Sequence, residues 1–148
     1  MGVGYMAEDG YGIERDLIGF DTSSIPAGAQ VTTATLMLKA YAYQGSVNSD
    51  MVVSTYAVTA PWSETSVTWQ SHGSAFSTVN SSSVVGEYVT YISFDVTNLV
   101  KWWVNGTLPN YGVMLRGGIE SGVTRGKIFY TRNAAVGDRP ILSVNYTY

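Results

Sequence analysis

From Val31 to Tyr43 the chain reads Val-Thr-Thr-Ala-Thr-Leu-Met-Leu-Lys-Ala-Tyr-Ala-Tyr. Successive side chains of an extended strand project to opposite faces, so Ala34, Leu36, Leu38, Ala40 and Ala42 share one apolar side. A helix would scatter the same residues around its circumference. The segment is therefore a long strand with one buried face, and the rest of the chain must supply the sheet and the second layer that cover it.

Further runs of strand character extend from Arg15 to Asp21, Met51 to Val58, Val84 to Phe94, Tyr111 to Arg116, Lys127 to Thr131 and Ile141 to Tyr146. Gly, Pro, Asn and Ser clusters separate them. Only one segment has helical character. Leu99 and Trp103 fall on one face at i, i+4, Thr97 stands where an N-cap belongs, and Asn105-Gly106 forms a left-handed stop. The Ser/Thr/Gly-rich stretch from Ser71 to Ser83 reads as a long exposed loop. Short strands without intervening helices predict an all-β fold: an antiparallel β-sandwich, jelly-roll-like, with one short helix near residues 97–105. At 148 residues this is one domain, spanning 1–148, large enough to hold a core without covalent help.

Composition removes several classes of function. There is no cysteine, so disulfides, thiolate nucleophiles and thiolate zinc sites are all excluded. A net charge of −3 with no Lys/Arg run does not match the clustered cations that phosphate contacts require, so nucleic acid is not an expected partner. No apolar stretch is long enough to span a bilayer as a helix, so membrane insertion is not expected. Any export signal would lie outside this chain.

Catalysis has no constellation to rest on. Glu64, Glu87 and Glu120 show no sign of the facing carboxylate pair that glycoside hydrolysis needs. The sole histidine, His72, lies in a polar loop, and no G-x-S-x-G occurs. The chain reads as no enzyme. No cofactor is expected and no metal residue is assigned, although Glu8-Asp9-Gly10 and Asn48-Ser49-Asp50 are loop oxygen donors of a kind calcium uses. Gly117-Gly118-Ile119-Glu120-Ser121-Gly122 reads as a hairpin turn. Asp21 and Asp95 end strands ahead of Ser/Thr-rich turns, where a carboxylate accepts backbone N–H bonds.

Candidate binding residues are aromatic. Tyr41, Tyr43 and Lys39 occupy the face of the long strand opposite its apolar row, a surface suited to stacking and hydrogen bonding with a glycan or to contact with another subunit. If Trp103 faces the core, its neighbour Trp102 is turned about 100° around the helix toward solvent, where an indole can stack on a sugar ring.

Five segments resemble the DNRLRE domain family in order and spacing. They are Arg15-Asp16-Leu17-Ile18-Gly19-Phe20-Asp21 continuing to Ala29, Trp62-Ser63-Glu64-Thr65-Ser66-Val67-Thr68-Trp69, Phe94-Asp95-Val96-Thr97-Asn98-Leu99-Val100 with Trp103, Pro109-Asn110-Tyr111-Gly112, and Pro140 to Tyr146. That family includes modules attached to archaeal disaggregatases and is treated in part as a carbohydrate-binding module family. The resemblance implies structural roles for Arg15, Asp21, Asp95 and the motif tryptophans Trp62, Trp69 and Trp103, with the indoles buried and Arg15 in an ion pair or bonded to carbonyls. It implies a non-catalytic extracellular or cell-surface module whose partner is a polysaccharide. The family usually opens with a further strand ahead of the segment matching Val3-Gly4-Tyr5. Its absence here implies an open edge near the N-terminus, and with it an alternative: a subunit of an extracellular filament, sheath or virion that exchanges strands with copies of itself.

Overall fold

The computed structural model describes residues 1–7, 10–45, 49–88 and 90–148. Its strands are β1 (Gly2–Met6), β2 (Gly12–Ile18), β3 (Gln30–Gln44), β4 (Met51–Val58), β5 (Phe76–Val85), β6 (Thr90–Asp95), β7 (Val113–Gly117), β8 (Arg125–Phe129) and β9 (Ile141–Thr147), with helices α1 (Trp69–His72) and α2 (Thr97–Val104). All pairings are antiparallel, in the order β5-β4-β7-β2-β1-β8-β3-β6, with β9 added to β3. The sheet curls through the β2–β1 junction into two layers facing one core. Its far ends meet where Ser83 Oγ donates to the Ser93 carbonyl and Asn80 Nδ2 to the Asp95 carbonyl. The fold is the expected all-β sandwich.

The alternating row of β3 places Ala34, Leu36, Leu38 and Ala40 in this core, against Phe94 of β6, Phe129 of β8 and Leu115 of β7. Each large apolar side chain buried there contributes about 1.5–3 kcal/mol. Helix α2 lies on β3 and buries Leu99, Val100 and Trp103. Thr97 does not cap it. It is the first helical residue, its N–H is received by Asp95 Oδ1 (2.9 Å), and its hydroxyl accepts from Ala34 N instead. The hydrogen bonds from Thr97 hold the Asp95 carboxyl below its ordinary range. The helix stops at Gly106, whose φ of 75° favours glycine.

Three sequence expectations need correction. The Ser-rich stretch expected to be a loop is mostly β5: its polar residues face solvent at the sheet's end, as where Ser54 and Ser82 hydroxyls meet at 2.7 Å. The Gly117–Gly122 segment is no hairpin, because β7 and β8 belong to different layers and it crosses between them. The open edge is not at the N-terminus. β1 pairs with β2 on one side and β8 on the other, whereas the strands bonded to one partner only are β5, β6 and β9. β1 itself has little strand signature because of its glycines. Gly4 has φ 126° and packs so closely on β8 that a Cβ would lie 2.9 Å from Gly126 Cα.

Asn110 ties the loops at one end of the sandwich. Its Nδ2 donates to the Phe20 carbonyl (2.9 Å) and Thr22 Oγ1 (3.1 Å), and its Oδ1 accepts from Gly112 N (3.1 Å). Asn110→Ala leaves these part-buried groups without partners, so the unfolding free energy should fall by about 2 kcal/mol. Urea titration checks this as a lower midpoint at unchanged slope.

Candidate functional site

The antiparallel register between β2 and β7 sorts their side chains by face. Asp16 lies opposite Leu115 on the core side, whereas Arg15 opposes Arg116 and Leu17 opposes Met114 on the outer side. The connection from β4 to β5 folds over that outer side. Trp62 Nε1 donates to the Tyr111 carbonyl (2.7 Å) and His72 Nε2 to the Pro61 carbonyl (3.1 Å). Within it, α1 is one turn closed by reciprocal bonds: Ser71 N donates to Thr68 Oγ1 and Thr68 N to Ser71 Oγ.

Arg15 anchors this flap. Its Nε and Nη2 form a forked pair with Glu120 at 2.7 and 2.8 Å, and Nη1 donates to the Gly73 carbonyl. Its guanidinium stacks between the rings of Trp69 (4.7 Å) and Phe76 (5.2 Å). Arg116 grips the same carboxylate, with Nη2 2.6 Å from Oε2, and stacks on Phe76 and Tyr56. Burial by itself would raise Glu120, but the bonds from Arg15 and Arg116 outweigh it and hold the carboxyl at about 2.

Between flap and sheet runs a groove. One hollow of about 390 Å³ is bordered by Trp69, His72, Arg15 and Asp16, and a second of about 700 Å³ by Phe20, Arg132, Asn133 and Arg139. Leu17, Trp62 and Glu64 line both, so the two hollows adjoin at these side chains. Trp62 also borders two smaller recesses beside them. Glu64 and Arg132 join in an exposed forked pair at the rim. The volumes fall in the range of about 300–1,000 Å³ usual for ligand clefts, and indole walls with scattered polar groups suit a flat, hydroxyl-rich ligand.

Asp16 is the electrostatic exception behind this groove, on the core side of β2. Gly2 N donates to its Oδ1 at 3.2 Å, while Oδ2 is buried with no partner among the described residues. Burial pushes its carboxyl up to about 7. Nearby Glu14 adds to the rise, and the Met1 amine and the Gly2 N–H oppose it.

The structure spreads the sequence-predicted residues over several places. Trp69, expected in the core, is 52% exposed, because the flap that carries it lies outside the sheet and Arg15 holds only one face of its ring. Trp62 is half-buried and Trp103 is buried on α2. Tyr41 and Tyr43 border a separate hollow of about 290 Å³ with Tyr88, floored by Lys127. Tyr41 also packs on Tyr130, with centroids 4.4 Å apart. Lys39 is engaged: it pairs with Asp138 between the rings of Tyr91 and Tyr130, and the Asp138 hydrogen bond raises its pKa. Trp102, 38% exposed on α2, borders none of these hollows. Asp21 Oδ1 accepts from Ser23 N, which lowers its carboxyl. The groove residues Leu17 and His72 are not among the predicted binding residues. The signal for them was the spacing of Trp62 and Trp69 around a polar loop.

Among the described residues no group of three or more His, Cys, Asp or Glu is placed to hold a metal ion. The calcium expectation rested partly on Glu8, Asp9 and Asn48, which lie outside the described residues. Among the described residues no helix is long and apolar enough to cross a membrane.

A search of curated proteins returned no match. The model of carbohydrate-binding module family 96 matches residues 6–146, a span that holds every strand from β2 to β8 and all the residues of the groove except Met1 and Gly2. The chain belongs to carbohydrate-binding module family 96.

Proposed function

We propose that this chain is a non-catalytic, extracellular polysaccharide-binding module whose ligand lies along the groove between the β4–β5 flap and the outer face of β2, stacking on Trp69 and Trp62. The observation that carries this reading is Trp69. Half of its indole faces water, while its position is held by the Arg15 stack, the closed turn of α1 and the adjacent Gly73. A large aromatic kept exposed and rigid beside a second indole loses apolar burial and gains a preformed stacking surface. Family membership supports carbohydrate as the ligand class.

Affinity electrophoresis in gels containing neutral, amino and acidic polysaccharides tests the reading. Trp69→Ala should weaken retention about tenfold, as for loss of one stacking platform, with an unchanged melting temperature because the ring contributes little to the core. Retention equal to wild type would remove the groove as the site.

The Tyr41, Tyr43 and Tyr88 hollow favours a second reading, a separate glycan contact on the other layer. A Tyr41→Ala, Tyr43→Ala double variant in the same gels separates the two. Assembly with copies of itself, the alternative raised by the sequence, would use β9, whose outer edge has no strand bonded to it. A concentration-independent monomer in sedimentation would end that alternative.

A further inference from the structure

We propose that the tyrosine face of β3 is a second glycan site acting together with the groove, so that one module bridges two polysaccharide chains; this rests on the groove being a glycan site. The two surfaces belong to opposite layers. The groove lies on the outer side of β2, whereas Tyr41 and Tyr43 stand exposed on the side of β3 away from its apolar row, and β1 and β8 separate β2 from β3 in the sheet. Outer faces of two layers that share one core point away from each other. No residue borders both the groove and the tyrosine hollow.

The tyrosine face is held in place by its own contacts. The Tyr41 ring packs on Tyr130, with centroids 4.4 Å apart. Lys39 Nζ lies 5.4 Å from the centre of the Tyr130 ring and 5.5 Å from that of Tyr91, and Asp138 fixes this ammonium in an ion pair. The Tyr91 hydroxyl donates to the Gly137 carbonyl at 2.6 Å. Tyr91, Lys39, Tyr130 and Tyr41 thus form one linked row in which Tyr91 and Tyr41 remain half-exposed. Beside Tyr41, the rings of Tyr43 and Tyr88 complete a hollow of about 290 Å³.

Rings ordered before a ligand arrives lose little freedom when a sugar stacks on them, and a phenol presents an apolar face together with a hydroxyl. Family membership supports carbohydrate at this surface as it does at the groove. Two sites facing opposite ways hold a short sugar no more tightly than one site does. On long polymers they link separate chains and strengthen retention through effective concentration. The module would then organise polysaccharide as well as adhere to it.

Equilibrium dialysis with hexasaccharides of β-glucan, chitosan and polygalacturonate, together with viscometry of the parent polymers, tests the proposal. Wild-type protein should bind two hexasaccharides of the polymer it recognises and raise the viscosity of that polymer several-fold. The double variant Tyr43→Ala, Tyr88→Ala should bind one, through the groove, and Trp69→Ala should bind one, through the tyrosine face. Neither variant should raise the viscosity. Both rings removed in the double variant are exposed and outside the core, so its melting temperature should match wild type. Tyr88→Ala alone, at a ring 81% exposed, gives a second measure and should weaken the second site several-fold.

A single hexasaccharide per wild-type molecule, lost in Trp69→Ala and kept in the tyrosine variant, would overturn the second site and leave the groove standing. A single hexasaccharide lost only in the tyrosine variant would overturn the groove. Two bound hexasaccharides without a rise in viscosity would overturn the bridging, and no binding of any of the three by wild type would overturn both sites.

Discussion

Glu120→Gln is expected to cost about 2 kcal/mol of stability at neutral pH and to loosen Trp69 as well. The reason lies in the β2–β7 register, which sets Arg15 directly opposite Arg116. Like charges opposed across a strand pair repel, and Glu120 reverses the sign of that contact by accepting forked bonds from both guanidinium groups. With a neutral amide the two cations face each other, and Arg15 loses the partner that orients it under Trp69. The figure is kept well below the full value implied by the pKa shift because Arg116 and Glu120 retain access to water. The pH dependence has a definite sign. Glu120 is held from 4.5 down to about 2 in the folded protein, so its contribution is complete above about pH 4.5 and is lost as pH falls through about 2. Urea unfolding at neutral pH and at about pH 3 should show the gap between wild type and Glu120→Gln narrowing on acidification. Polarisation of indole fluorescence should report greater motion of Trp69 in the variant.

Trp62→Ala should reduce polysaccharide binding by about 100-fold, a larger effect than truncating Trp69. Trp62 borders both hollows of the groove and the two recesses beside it, so its loss breaks the continuity of the binding surface. It also releases the flap, because the indole N–H secures this connection to the Tyr111 carbonyl. Trp62→Phe separates the two contributions: it keeps an aromatic wall but cannot donate to Tyr111. Binding that survives in Trp62→Phe and fails in Trp62→Ala assigns the effect to stacking. If both variants retain wild-type affinity in calorimetry, no ligand passes Trp62.

Both variants depend on how Arg15, Trp62 and Trp69 are arranged, and the sequence showed these residues without their arrangement. The motif containing Trp62 and Trp69 was visible, and burial was the natural expectation for two indoles beside Val67. The β4–β5 connection lies outside the sheet, however, so a ring that packs against it can be covered on one side only. Alternation puts Tyr41 and Tyr43 opposite the apolar row of β3, where both are exposed, yet Lys39 just before them is occupied by Asp138 from a turn that local sequence does not connect to it. Asp16 sits in a run with strand character, and nothing in its neighbours indicates that Leu115 will face it or that Oδ2 will be enclosed.

The strand content and the core were decided locally. Period-two alternation in β3 and apolar composition in β4, β6 and β7 express side-chain geometry that any antiparallel sandwich must bury. Polar edge strands such as β5 and glycine-rich ones such as β1 carry no such signal, because their pairing comes from backbone bonds to distant partners and not from their own side chains. The sequence by itself therefore determined an all-β sandwich rich in tyrosine and tryptophan. Only the tertiary structure decided which aromatics face a ligand, since that depends on the register of β2 against β7, on the crossing that carries Glu120 over Arg15, and on the flap that these residues hold in place.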